Sequence, residues 1–163
     1  MNLRDPSGLK FFLYHGPEVI IAAMIAGYDI VTATWWGLQA MIADWREGAT
    51  SSMEGKYTNA HALMGLNDKG RRQTTPQYLN GIYDAIIDNL NQGRVGDACH
   101  VIGDFRTGHH QYHMYEGLTF GHILRDLNPG DMPGTISDMA DFLIDYAPPS
   151  LWQQWRQSIY GRQ

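Results

Sequence analysis

Cysteine is nearly absent: Cys99 is the only one in 163 residues. That excludes an intramolecular disulfide and any zinc site built on several thiolates. Charge is scarce as well, at 18% against the roughly 25% of an ordinary soluble domain, while apolar residues reach 44%. Such a chain is no disordered tail. At this length it buries a core without cross-links. Cations are the scarcer sign, 12 against 17 acidic residues, for a net charge of −5. A protein that grips nucleic acid through its phosphates needs a basic surface, so that class is disfavoured; metal-assisted chemistry on nucleic acid stays open. Runs of strict apolar–polar alternation are missing, which speaks against strands. The N-terminus lacks the charged-then-apolar order of a signal peptide.

Histidine, by contrast, is plentiful. There are seven, and His109, His110, His113 and His122 fall within 14 residues. The rest of the chain reads as helices, and the predicted fold is all-α, a bundle of five to seven helices around a metal site. Residues 19–43 are almost wholly apolar, with Asp29 the only charge. Twenty-five such residues are long enough to span a bilayer. A central Asp costs about 2.5–3.5 kcal/mol there, and Gly27, Thr32, Thr34 and Gly37 dilute the run. The preferred reading is a buried helix or pair of helices. Asp29 then either caps a helix that restarts after Gly27 or belongs to a metal site.

Residues 47–60 and 67–74 are polar loops around a short segment carrying His61. Thr75 as N-cap and Pro76 at the first position open a helix that Asn91-Gln92-Gly93 ends. Residues 95–105 form the next helix, and 118–127 another. Residues 128–134 break the chain, Thr135 or Ser137 caps a helix up to Pro148-Pro149, and 151–160 form the last. The tryptophans Trp35, Trp36, Trp45, Trp152 and Trp155 read as core rather than as a lipid-facing mouth. Lys69, Arg71 and Arg72 read as solvated cations.

His100 and Asp104 stand four apart on a predicted helix and so point the same way. His122 and Asp126 repeat the spacing, with His109, His110 and His113 between the pairs. Imidazole and carboxylate without thiolate suit a hydrolytic zinc site that keeps a position open for water. At most two of His109, His110 and His113 would be ligands; the others position substrate or move protons.

The string His100-x3-Asp104, His110, His122-x3-Asp126 resembles the metal-binding pattern of the zinc-dependent phospholipase C family, a mostly helical group related to single-strand-specific zinc nucleases. The resemblance covers about residues 57–146 and takes in Gly121-His122, Pro129-Gly130-Asp131 and His61-Ala62-Leu63. It implies one to three zinc ions held by His61, His100, Asp104, His110, His122 and Asp126, with His109 and Asp131 in catalytic roles. The family also uses a free N-terminal residue as ligand, whereas here the start resembles a cleaved or fused junction and no aromatic residue begins it, which counts against a third zinc; it also uses an upstream carboxylate, for which Asp29, Asp44 and Glu47 are candidates. His15 has no assigned place.

Asp5-Pro6-Ser7-Gly8-Leu9 resembles the signature that closes the core of Rhs-repeat toxins. That implies a junction over residues 1–9 and one effector domain over 10–163, released from an Rhs shell, delivered into a target cell by a secretion system such as type VI, and neutralised in the producer by an immunity protein. Combined, the two resemblances imply a toxin that hydrolyses phosphodiesters of membrane phospholipids. The rival expectations are a zinc nuclease acting on DNA or RNA, a pore-former built on residues 19–43, and a binding domain in which zinc is purely structural.

Overall fold

The apolar stretch 19–43 is two helices, α1 (His15–Ile25) and α2 (Ile30–Ile42). The computed structural model describes residues 14–43, 52–106, 111–115 and 131–148. Gly27, at φ +88°, turns the chain out of α1. The Gly27 and Tyr28 amides donate back to the Met24 and Ala23 carbonyls, the hydrogen-bond pattern that closes a helix on a left-handed glycine. Asp29 then caps α2: its carboxylate accepts from the Val31 and Thr32 amides at 3.1 and 3.0 Å and from the Thr32 hydroxyl at 2.8 Å. Those bonds, the Thr32 amide first, hold the Asp29 carboxyl below the usual range. Of its two sequence readings, the cap is the one that holds. Among the described residues no helix is long and apolar enough to cross a membrane, so the 25-residue run is not one spanning helix.

Four more helices follow: α3 (Gly55–Thr58), α4 (Thr75–Asn91), α5 (Val95–Arg106) and α6 (Met132–Tyr146), with a 3-10 turn at Asn59–His61. Six α-helices and no strand among the described residues make the domain all-α. Three isolated bridges, Glu54 with Leu66, Leu66 with Arg72 and Met64 with Met114, tie the loop segments together. The short α3 falls inside the expected loop 47–60, and the starts of α4 and α6 differ from expectation by a few residues. Thr74, not Thr75, caps α4, in a reciprocal capping box with Gln77. α6 begins at Met132 rather than after Thr135 or Ser137, because Asp131 accepts from the Gly134 amide at 3.1 Å and Pro133 falls in the first turn, where its missing N–H costs nothing.

α5 runs through the middle. Nine of its twelve residues are buried, including Asp97, His100 and Asp104. It packs on α1, α2, α4, α6 and the 3-10 turn. Gly96 lets α2 approach closely, since a Cβ there would overlap the Trp36 carbonyl. On one side of α5 lies an apolar core from α1, α2 and α6, with Val19, Ala23, Trp36, Cys99, Met139 and Leu143. Burial pushes the Cys99 thiol far up, so it acts as a small apolar side chain. On the other side Ala62, Met64, Tyr78, Ile82 and Val101 form a second core. An ion pair of Arg106 with Asp138 ties α5 to α6. Trp36 is core, as expected, but Trp35 is exposed; the other three tryptophans lie outside the described residues.

Candidate metal centre

Between the two cores, polar groups meet where apolar ones would be expected. His100 and Asp104 are one turn apart on α5, and His100 Nε2 lies 3.1 Å from Asp104 Oδ2. His61, at the end of the 3-10 turn, brings its Nδ1 to 3.2 Å from His100 Nε2 and 3.4 Å from Asp104 Oδ2. His15, the first residue of α1, points its Nε2 at Asp104 Oδ1, 3.1 Å away. Behind it Glu18 faces the other ring nitrogen at 3.2 Å. His15, Glu18, His100 and Asp104 are at most 3% exposed, and His61 is 8% exposed.

Local structure explains the approach. Gly103 sits on α5 directly beneath the His15 ring; a Cβ there would lie 2.7 Å from His15 Nδ1 and 2.9 Å from the Met139 methyl. Only a glycine leaves the imidazole room to reach Asp104. The His61 turn is followed by Ala62 in a left-handed conformation, φ +50°. The buried Tyr78 hydroxyl of α4 donates to the Ala62 carbonyl at 2.7 Å and so anchors that turn. Burial pushes the Tyr78 hydroxyl up to about 12, keeping it a neutral donor.

Titratable groups this deep are expensive unless paired or metal-bound. For His15, burial works against the charged ring, but the bonds to Asp104 and Glu18 and their charges outweigh it and push the imidazole up to about 9. A metal ion can take the place of that proton. Two donors held near 2.05 Å from one ion at the tetrahedral angle lie about 3.3 Å apart. His15 Nε2 to Asp104 Oδ1 and His100 Nε2 to Asp104 Oδ2, each 3.1 Å, are close to that spacing. His15, His100 and Asp104 lie close enough to hold one metal ion, and His61 stands beside them. Glu18 Oε2, 3.2 Å from Nδ1, is placed to support the tautomer that a ligating Nε2 would need.

Of the residues singled out from sequence, the structure therefore unites His61, His100 and Asp104. His109, His110, His122 and Asp126 lie outside the described residues, as do Asp44 and Glu47. His113 is exposed, its carbonyl accepting from the Met64 amide at 2.8 Å. Asp131 caps α6 and is no member of the metal-capable group. Arg72 is exposed, as expected, and also donates to the Tyr112 carbonyl at 3.1 Å. Sequence reasoning missed His15 and Glu18. The available signal was local: a histidine and a carboxylate three apart, entering an apolar helix whose next charge is Asp29. Their partner Asp104 is 89 residues from His15, and nothing in the spacing announces that. Compared with known proteins, the chain matches no family model, no curated protein and no solved structure, so its own geometry carries the reading.

Proposed function

We propose that this chain is a zinc-dependent phosphodiester hydrolase that acts on membrane phospholipids, carried as the effector domain of an Rhs-type toxin. One observation carries the reading: histidines from α1, the 3-10 turn and α5 converge on a single aspartate in the core. Three imidazoles surround this one carboxylate, and two of them lie with it close enough to hold a single ion. Nitrogen and oxygen donors without thiolate suit zinc in hydrolytic use. Bound zinc would supply Lewis acidity and a water acidic enough to attack phosphorus near neutral pH. The chain's own part is to hold His15, His100 and Asp104 rigid on helices, with Glu18 keeping the proton on His15 Nδ1. The Rhs shell, an immunity protein and delivery into a target cell follow from the motif at residues 5–9.

The near-complete burial of His15, His100 and Asp104 favours a second reading, in which the metal is structural and closes the core. The two part in one experiment. The purified chain is analysed for zinc and assayed for head-group release from phosphatidylcholine vesicles, and for DNA and RNA cleavage, with and without chelator. Zinc at stoichiometric level with chelator-sensitive lipid release supports the proposal. No metal, or full activity in His100→Ala, overturns it. Chelation that unfolds a chain without turnover establishes the structural reading, and cleavage of nucleic acid alone moves the substrate to DNA or RNA.

A further inference from the structure

Among the described residues two non-glycine positions hold a left-handed backbone, Ala62 at φ +50° and Tyr112 at φ +60°. L side chains seldom adopt that conformation, and a residue kept in it is held by its surroundings. Both are held by the same atom. The Tyr78 hydroxyl of α4 donates to the Ala62 carbonyl at 2.7 Å and accepts from the Tyr112 amide at 3.3 Å. Ala62 directly follows His61, so one buried hydroxyl joins the segment around Tyr112 to the turn that carries His61. More bonds run along the same seam. The Met64 amide donates to the His113 carbonyl at 2.8 Å, and the Tyr115 amide to the Met64 carbonyl at 2.9 Å. Arg72 donates to the Tyr112 carbonyl at 3.1 Å, and the Gln111 side chain to the Phe105 carbonyl, near the end of α5, at 2.8 Å. The turn also rests directly on α4, where a Cβ at Gly81 would overlap the Asn59 side-chain amide.

We infer that residues 111–115 form a strap that sets the position of His61 in the centre, with the Tyr78 hydroxyl as the joint and Tyr78 as a positioning residue. His15, His100 and Asp104 stand on α1 and α5, whose own hydrogen-bond ladders hold them. His61 closes a 3-10 turn of three residues and depends on what braces that turn. It is therefore the member of the group whose place the rest of the chain can adjust. Without the Tyr78 hydroxyl, the Ala62 carbonyl and the Tyr112 amide lose their shared partner, and both left-handed residues lose a brace. Docking of the strap and binding of an ion are then linked, and linkage runs both ways: a loosened strap weakens the hold on the ion, and a bound ion tightens the strap. The effect on the ion rests on the metal reading above; the contact between strap and turn does not.

Zinc affinity of the full chain is measured by competition with a chromophoric chelator. Amide hydrogen exchange of residues 59–66 and 111–115 is followed by mass spectrometry, with zinc and with chelator. Zinc is expected to slow exchange in both segments. Tyr78→Phe, which keeps the ring, should weaken zinc about tenfold or more, the scale of loss when a group supporting a ligand is removed. It should also speed exchange in both segments together. Arg72→Ala removes an exposed tie of the strap, should weaken zinc about threefold, and decides the matter if Tyr78→Phe melts early. Ile82→Val, one turn along α4 in the same core, should lower stability and leave zinc affinity at the wild-type value. Wild-type zinc affinity in Tyr78→Phe overturns the inference, as does an equal loss in Ile82→Val. A wild type that binds no zinc removes the metal reading alone. In that case joint acceleration of the two segments by Tyr78→Phe supports the strap, and acceleration of one without the other overturns it.

Discussion

The two ends of α1 face opposite problems. At its start, His15 and Glu18 are polar and buried; at its end, Met24 and Ile25 are apolar and exposed. Both depart from the ordinary sorting of side chains, and both carry a free-energy cost. The costs are met differently. Inside, each polar group finds another polar group within about 3.4 Å, so the region is rigid and interdependent. Outside, the exposed residues have few neighbours to lose, so the fold is expected to tolerate their replacement. A site that works by geometry sits where packing is dense.

The sharpest way to break the contrast is at its centre. Asp104→Ala removes the carboxylate that three imidazoles share, and the loss expected from breaking a buried charge pair is about 3–5 kcal/mol. Denaturant unfolding measures it, and zinc analysis should show the metal lost with it. A loss below 1 kcal/mol would mean that the three rings do not depend on Asp104.

Gly103→Ala tests the approach of His15. The added methyl must displace either the ring or Met139, and overpacking of this kind costs about 1–3 kcal/mol. Zinc retention should fall more than stability does, because the ring is displaced from Asp104. Equal zinc content in variant and wild type would show that His15 is not needed to hold the ion.

The same ring makes the metal-free protein sensitive to alkali. Its value in the fold, about 9, lies above the ordinary 6.5. The stabilisation is therefore complete below pH 6.5 and is lost as pH rises through 9. Thermal melts of chelated protein should fall across that window, and Glu18→Gln should shrink the fall. A flat profile would remove the His15 pairing from the account.

At the outer end the effects are smaller. Asp29→Ala removes the α2 cap at a cost of about 1 kcal/mol. The Asp29 carboxyl is lowered in the fold, so its contribution is present above pH 3.8 and lost as pH drops through the lower folded value. Acid titration of wild type and variant should converge there. Val31→Ser should change stability by no more than about 0.5 kcal/mol, as expected of an exposed residue. A large loss at Val31 would show that the α1–α2 turn is part of the core after all.

The helices were legible because each advertises itself locally. Pro76 at the start of α4, the Gly27 turn with Asp29, and Gly93 after α4 are short-range signals that work within one turn of chain. The α6 start was misplaced because Pro133 and Gly134 read as breakers, although a helix tolerates both in its first turn when Asp131 caps it. Half of the inner site was equally legible: His100 and Asp104 needed only helical spacing, and His61 a resemblance. His15 was not, since its partner is distant and its own surroundings are apolar.

By itself, then, the sequence determined the helical class, the approximate bounds and breaks of most helices, and a donor chemistry of nitrogen and oxygen without thiolate. These depend on residues within a few positions of one another. Which histidines meet, and which apolar faces stay outside, only the tertiary structure decided. Gly103 lets α1 close on α5, and Tyr78 holds the turn that delivers His61. Both act across chain separations that no periodicity encodes.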